Sequence, residues 1–320
     1  MGPMMAPDPE GARHDRPAAR LLGMVEARAW KARVVPVSRL ADLARAALEW
    51  LERGQIDPAL HREYLSSFSF DVPGDLADAR SIVVAAVPTP QMRVLFRWKG
   101  KRVPVTIPPT YVGYATRTAQ AQRIVAEWLA RDGYRLSHAN VPLKTLAVGS
   151  GLAEYGRNNI TYVKGLGSFA QLVGAFSDMP CDGDPWQEPK ALDRCASCVA
   201  CLRACPAGAI ADDRFLIRAE RCLTFLNEAA RDFPAWVDPS WHHCLMGCMR
   251  CQTACPENRR VRGWFEDRCE FSEEETRLLV ARETFDRLPR ATAEKIDGLE
   301  MTEDYEVICR NLSVLLGRSA

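Results

Sequence analysis

The sequence predicts an α/β (α+β) domain, then a small cysteine-rich module, then a set of C-terminal helices. Three observations carry this prediction. Strand-like and helix-like periodicities alternate between about residues 21 and 180. Nine of the 12 cysteines fall between Cys195 and Cys255. Beyond about residue 260, apolar residues return at helical spacing.

Residues 1–20 are rich in Pro, Ala and Arg and carry neither a hydrophobic signal core nor a twin-Arg motif, so they read as a disordered tail. Ser38 reads as the N-cap of a first helix, with Leu40, Leu43, Ala44, Ala47, Leu48 and Leu51 in register and Gly54 just beyond. Ser81 to Val87 is a continuous apolar, β-branched run, the pattern of a strand buried on both faces. Arg102 to Ile107 alternates like an exposed strand and stops at Pro108-Pro109. Helical period resumes through Ile124, Val125, Trp128 and Leu129 and ends at Gly133. A Gly-rich turn at Gly149–Gly156, a strand at Ile160–Val163, a hairpin through Gly165-Leu166-Gly167 and a strand at Gln171–Phe176 complete the domain. Polar, turn-rich residues 181–192 mark its boundary, the cysteine module follows to about 260, and residues 261–320 read as a helical tail. In that tail, Ser272 with Glu275 forms a capping box. Tyr305, Ile308, Cys309, Leu312, Leu315 and Leu316 form an apolar stripe that packs on the core.

With 320 residues, of which 47% are hydrophobic, the chain has ample material for a core. Its formal net charge of +1 makes no electrostatic case for a nucleic-acid or membrane partner. No apolar run approaches the length of a membrane-spanning helix.

Chemistry enters at Cys195-Ala-Ser-Cys198-Val-Ala-Cys201-Leu-Arg-Ala-Cys205-Pro206, a C-x2-C-x2-C-x3-C-P run. This is the bacterial ferredoxin spacing, in which the fourth Cys ligates the neighbouring [4Fe–4S] cluster. A partial copy follows at Cys248-Met-Arg-Cys251-Gln-Thr-Ala-Cys255-Pro256. A zinc site would pair two C-x2-C knuckles across a longer gap. A disulfide framework suits a small exported chain. The spacing therefore assigns two [4Fe–4S] clusters, one from Cys195, Cys198, Cys201 and Cys255, the other from Cys205, Cys222, Cys248 and Cys251. Cys222 completes the second set because it lies between the two runs, with Cys244 as its competitor. Cys181, Cys244, Cys269 and Cys309 are left as small buried apolar residues. Oxygen-sensitive clusters and free thiols in a chain with no export signal imply a cytoplasmic protein. His242 and His243, close to the second run, are placed to tune a cluster by hydrogen bonding or to serve simple structural roles. His14 and His61 read as surface residues.

Gly149, Gly151, Gly156, Gly165 and Gly167 permit left-handed backbone or close approach to a ligand. A dinucleotide fingerprint needs G-x-G-x-x-G directly after a strand. Here Gly149-Ser-Gly151 follows a helical pattern and the third glycine falls at 156, so that reading is rejected. Ordinary tight turns remain the plain alternative.

The order of Gly151-Leu-Ala-Glu154-Tyr-Gly156-Arg157-Asn158-Asn159, Gly167-Ser168-Phe169, Ser177-Asp-Met-Pro180, the first cysteine run, Arg221-Cys222-Leu-Thr-Phe225 and the second run resembles the epoxyqueuosine reductases. Corrinoid reductive dehalogenases share the general layout. The resemblance covers about residues 80–258 and implies a nitroreductase-like cobalamin-binding domain joined to a two-cluster ferredoxin-like module. It implies that Cys222 completes the second cluster. It also implies that Gly151, Glu154, Gly156, Arg157, Asn158, Gly167 and Ser168 wrap the corrin. No D-x-H-x-x-G segment is present, so no histidine is expected to bind cobalt from below.

Two departures accompany the resemblance. Where the family places a proton-donating carboxylate, this chain has Ser137-His138-Ala-Asn140-Val-Pro142-Leu-Lys144, with no acid. His138, whose imidazole can carry and release a proton, is the candidate donor, against the alternative of a strand-end histidine with its own hydrogen bond. The long C-terminal helical repeats of some members, which help to bind tRNA, have no counterpart here, and no basic patch replaces them. The expected function is an iron–sulfur and corrinoid-dependent reductase that passes electrons through both clusters to cobalamin to reduce an epoxide or other electrophile. Poor epoxyqueuosine turnover is expected, and tRNA stands as one candidate partner. The electron donor would be a low-potential carrier of ferredoxin or flavodoxin type, and no membrane is involved. Two alternatives stay open: a ferredoxin-like electron-transfer protein without corrinoid, and a reductive dehalogenase-like enzyme with Tyr111 or Tyr114 as donor.

Overall fold

Residues 16–317 are described by the structure, a computed structural model of the chain. Residues 1–15 lie outside the described residues, and with them His14 and most of the expected tail. The tail ends earlier than expected, because helix α1 spans Pro17–Ala27 with proline in its first turn. Its Ala18, Leu21 and Val25 recur at helical spacing and are buried, which ties this segment to the domain.

Strand β1 (Lys31–Pro36) follows, then helix α2 (Leu40–Glu52), strands β2 (Ser81–Pro88), β3 (Gln91–Trp98) and β4 (Lys101–Ile107), and helix α3 (Tyr114–Ala130). Ser38 is not a cap. It sits in a one-turn helix, Val37–Arg39, that leads into α2 without any side-chain capping bond. Next come strand β5 (Leu136–His138), helix α4 (Leu143–Gly149), and strands β6 (Ala153–Tyr155), β7 (Thr161–Val163) and β8 (Ala170–Ser177).

The main sheet has the order β1-β2-β8-β5, and every neighbouring pair is antiparallel. Strand β2 is buried from Ser81 to Val87 because helices cover both faces of the sheet. Ile82, Val84 and Ala86 pack with Leu40 and Leu43 of α2 and Leu146 of α4. The alternate residues Val83 and Ala85 pack with Leu21 of α1 and with Val125 and Leu129 of α3. This is the two-faced burial expected of an uninterrupted apolar run, here in an antiparallel setting.

The expected hairpin at Gly165–Gly167 is displaced. The paired strands are β6 and β7, joined through 156–160, whereas Gly165 and Gly167 lie in the turn from β7 to β8.

After the cysteine module the chain adds strand β9 (Phe265–Phe271) and helices α8 (Glu273–Val280), α9 (Arg290–Gly298) and α10 (Tyr305–Gly317). The segment read as a helical tail thus also supplies a strand, which pairs in parallel with β3 in a second sheet of order β4-β3-β9. The segment FEDRCEF alternates weakly and is mostly charged, so its pattern did not announce a strand. Phe96 of β3 and Phe271 of β9 stack with ring centroids 5.0 Å apart. Around them Met92, Leu279, Ile296, Ile308 and Leu312 form the largest apolar cluster described. The capping box at Ser272 and Glu275 is present.

Helix α10 also carries two buried polar side chains that hold the cysteine module. Arg310 donates to the Ala229 carbonyl at 2.7 Å and to the Leu226 and Asn227 carbonyls at 3.1 Å. Asn311 donates to the carbonyls of Asn227 at 3.0 Å and Leu245 at 2.8 Å. Each bond satisfies a backbone carbonyl that burial would otherwise strand.

Candidate iron–sulfur centres and the cavity beside them

Two short helices of identical design carry the cysteine runs. Helix α5 (Ala200–Ala204) ends at Cys205 and α7 (Arg250–Ala254) ends at Cys255, each cysteine in extended backbone just before a proline. Proline forbids continuation of the helix, so each terminal cysteine is turned away from its own run. The two helices pack against each other, and α6 (Leu223–Glu228) follows directly from Cys222.

The consequence is a sorting of the thiols. Cys195, Cys198, Cys201 and Cys255 border one small cavity together with Gly156, Arg157 and Asn158. Cys205, Cys222, Cys248 and Cys251 border a separate, much larger one. These are the two sets expected from spacing, with Cys222 in place and Cys244 elsewhere. Cys244 is buried among Phe169, Met249 and Val261, and burial pushes its thiol up to about 12. Cys309 lies in the C-terminal core, and Cys181 approaches the Gly183 carbonyl at 2.6 Å. No disulfide forms among the described residues.

Each cysteine set offers four thiols, the donor number of a [4Fe–4S] cubane. Among the described residues no three His, Cys, Asp or Glu side chains converge as one metal ion requires. Burial pushes the Cys248 thiol up to about 12 and raises Cys251 and Cys222 as well, with neighbouring thiols adding to the rise. Bound iron would supply the positive charge that favours the thiolate form of such thiols.

The large cavity has a volume of about 1430 Å³, above the roughly 300–1,000 Å³ of drug-sized sites. It is walled by α2 and residues 55–70, by α3, β5 and α4, by β8, and by cysteine-module residues 205–228 and 248–252. This explains the apolar stripe of α2. Leu40 and Leu43 enter the core, while Leu48 and Leu51 border the cavity and stay 54% and 40% exposed.

His138 borders this cavity. Gln122 Nε2 lies 2.8 Å from His138 Nδ1 and donates to the Gly174 carbonyl at 2.9 Å. That amide nitrogen therefore faces Nδ1 as a donor, and neutral His138 carries its proton on Nε2. Ser137, the adjacent candidate position, donates instead to Asp75 at 2.9 Å. Three further titratable groups stand beside this cavity, of which Glu228 and Lys144 were not singled out from the sequence. Tyr111 donates a short hydrogen bond to Glu228, and burial raises both groups. Burial lowers the Lys144 ammonium despite the pull of Cys222, Glu228 and Cys251. All three border the same cavity. Tyr111 had been considered with Tyr114 as a donor, but Glu228 carried no local signal beyond its place in the helix after Cys222.

The residues expected to wrap a corrin divide differently. Only Asn158 and Ser168 border the large cavity, and Gly151, Glu154, Gly156, Arg157 and Gly167 do not. Gly151 makes a left-handed turn with φ 71°, and a Cβ there would lie 3.2 Å from Gln187. Glu154 pairs across the β6–β7 hairpin with Tyr162. Gly156 and Arg157 approach the first cysteine set instead. Gly167, with φ 60°, packs on Asn258 of the cysteine module. Beside it, Ser168 N–H donates to Asn258 Oδ1 at 2.9 Å and Ser168 Oγ to Gln252 at 2.7 Å. Glycine admits a close neighbour, and the side chains of Gln187, Tyr162 and Asn258 stand close to Gly151, Gly156 and Gly167. Gly167→Ala is expected to cost about 1–3 kcal/mol through left-handed strain and collision with Asn258, read as a lower Tm.

His243 accepts from the Met249 N–H at 3.1 Å and lies 3.2 Å from the Trp241 carbonyl. His242 packs edge-on to Phe233 at 4.4 Å. Both therefore hold the loop before Cys248.

Comparison with known proteins agrees with this geometry. Residues 194–258 match a family described as a 4Fe-4S double cluster binding domain. The epoxyqueuosine reductase of Pseudomonas aeruginosa is 30% identical over 206 residues, 62% of this chain and 55% of the relative. That of Burkholderia pseudomallei is 30% identical over 212 residues, 62% of this chain and 50% of the relative. The chain thus spans about half the length of these curated relatives. In fold, it resembles an epoxyqueuosine reductase from Streptococcus thermophilus with TM-score 0.67, 17% identity and coverage of 94% of this chain and 80% of the other. An epoxyqueuosine reductase solved with an epoxyqueuosine-modified tRNA stem loop gives TM-score 0.66, 18% identity, 93% of this chain and 80% of that one. The motif resemblance to epoxyqueuosine reductases is thereby extended to the whole fold. No helix among the described residues is long and apolar enough to cross a membrane.

Proposed function

We propose that this chain is a cytoplasmic reductase that carries electrons through two [4Fe–4S] clusters to cobalamin and reduces an electrophilic substrate in the cavity. The observation that carries this reading is the position of Cys205, Cys222, Cys248 and Cys251 on the wall of the 1430 Å³ cavity. A cluster held there would border a ligand in the cavity, whereas the first cysteine set borders the smaller cavity. A low-potential carrier of ferredoxin or flavodoxin type would supply the electrons. When bound, the corrinoid supplies the strongly reducing centre.

The chain's own residues supply shape, apolar surface and protons. Leu48, Leu51, Tyr64 and Phe70 contribute apolar surface to the cavity. His138 is the proposed proton donor: as imidazolium it would release a ring proton to the substrate oxygen and become neutral. Reduction of an epoxide leaves an oxygen that must be protonated, and a placed acid contributes roughly 10²–10⁴-fold. His138→Ala is expected to lose about that factor in substrate turnover. Turnover equal to wild type in that variant would remove His138 from the role. tRNA bearing epoxyqueuosine is the first substrate to test, and slow turnover is expected because no carboxylate stands at the position of His138.

The corrinoid is tested by anaerobic reconstitution with cobalamin followed by gel filtration. Ala119, exposed on α3, borders the cavity. Ala119→Trp is expected to weaken cobalamin binding at least tenfold, about 1.4 kcal/mol, with iron content unchanged. Wild-type affinity in this variant would place the corrinoid elsewhere. Absence of cobalamin binding in the wild-type holo-protein would leave a two-cluster electron carrier.

A further inference from the structure

We infer that Arg157 is a potential-setting residue for the cluster held by Cys195, Cys198, Cys201 and Cys255, raising its reduction potential relative to the second cluster. The inference rests on the two-cluster reading. Arg157 stands in the β6–β7 turn and borders the cavity formed by these four cysteines. Its backbone N–H donates to Cys195 Sγ at 3.4 Å, and its Nη2 donates to the Cys195 carbonyl at 2.6 Å. The guanidinium is therefore clamped beside the first thiol of the set. Its Nε is buried and lacks a hydrogen-bond partner among the described residues.

A buried donor on a charged group is costly to leave unpaired, and an unmet guanidinium N–H beside four cysteines calls for an anionic acceptor. A cubane with thiolate ligands is such an acceptor, through its sulfurs. The other charges around this cavity do not replace Arg157. Arg194 and Glu257, which also border it, pair with each other at 2.8 Å, so their charges offset. Reduction adds one electron to an already anionic cluster. A fixed cation and hydrogen bonds to sulfur stabilise the more negative state and raise the potential.

The test is potentiometric titration of the holo-protein followed by EPR, with iron analysis on each sample. Wild type should hold about eight irons per chain, as two cubanes require. A lower figure strikes the two-cluster reading itself and is distinguishable from failure of this inference. In Arg157→Gln, one midpoint should fall while the other stays at its wild-type value. In Arg157→Lys, which keeps the charge but not the planar fork, the same midpoint should fall by less. Both midpoints unchanged in Arg157→Gln at full iron content, or both shifted equally, would overturn the inference. Should Arg157→Gln fail to hold iron, Arg157→Lys decides: a fall in one midpoint supports it, and wild-type midpoints overturn it.

Discussion

Cys255→Ala is expected to halve the iron content, from about eight to about four per chain, because Cys255 leaves its own run to join Cys195, Cys198 and Cys201. Double variants read the crossing directly. If Cys255 and Cys198 serve one cluster, adding Cys198→Ala to Cys255→Ala should remove no further iron, the non-additivity of residues acting as a unit. Adding Cys251→Ala should remove the rest. The opposite pattern, with Cys251 redundant and Cys198 additive, would mean that each run builds its own cluster. Cys222→Ser should likewise lose the cluster on the cavity wall. Cys244→Ser should keep both, since Cys244 lies among Phe169, Met249 and Val261.

Phe271→Ala should cost about 3–5 kcal/mol, the usual price of emptying a buried aromatic site. Phe271 is fully buried and stacks on Phe96 at 5.0 Å. Lys295 Nζ lies 5.3 Å from its ring centroid, so truncation also removes a cation–π contact. The loss should appear as a fall in Tm of order ten degrees for a chain of this size. Phe265→Ala, at the partly exposed start of the same strand, should cost far less. A change below about 1 kcal/mol for Phe271→Ala would mean that β9 is an appendage rather than part of the core.

What could be read from the residues alone follows from how directly a pattern reports its cause. Cysteine spacing is set by cluster geometry, and the thiols stand in two groups around the two cavities; that the groups are the ligand sets, crossing included, is what the iron counts above test. The apolar run at 81–87 and the capping box at Ser272 report burial and helix start, and both are present. Strand β9 was hidden because Glu266, Asp267, Arg268 and Glu270 run charge through it: Asp267 pairs with Arg93, Glu270 with Arg97 and Arg102, and Glu266 with Arg268 of the same strand. Cross-strand ion pairs substitute there for alternation.

The glycine-rich segment is less informative for a different reason. A glycine selected for close approach carries no record of what approaches it. Gly156 and Gly167 stand close to Tyr162, Asn158 and Asn258. The Glu228–Tyr111 pair joins residues 117 positions apart, and only the tertiary fold brings them to one cavity wall.

The central claim is that two clusters deliver electrons to a corrinoid in the large cavity. It is tested most directly by iron and cobalt analysis after anaerobic reconstitution with iron, sulfide and cobalamin, followed by gel filtration. The account predicts about eight irons per chain together with stoichiometric cobalt, and loss of the cobalt alone in Ala119→Trp. Full iron with no retained cobalt in the wild-type protein would contradict it.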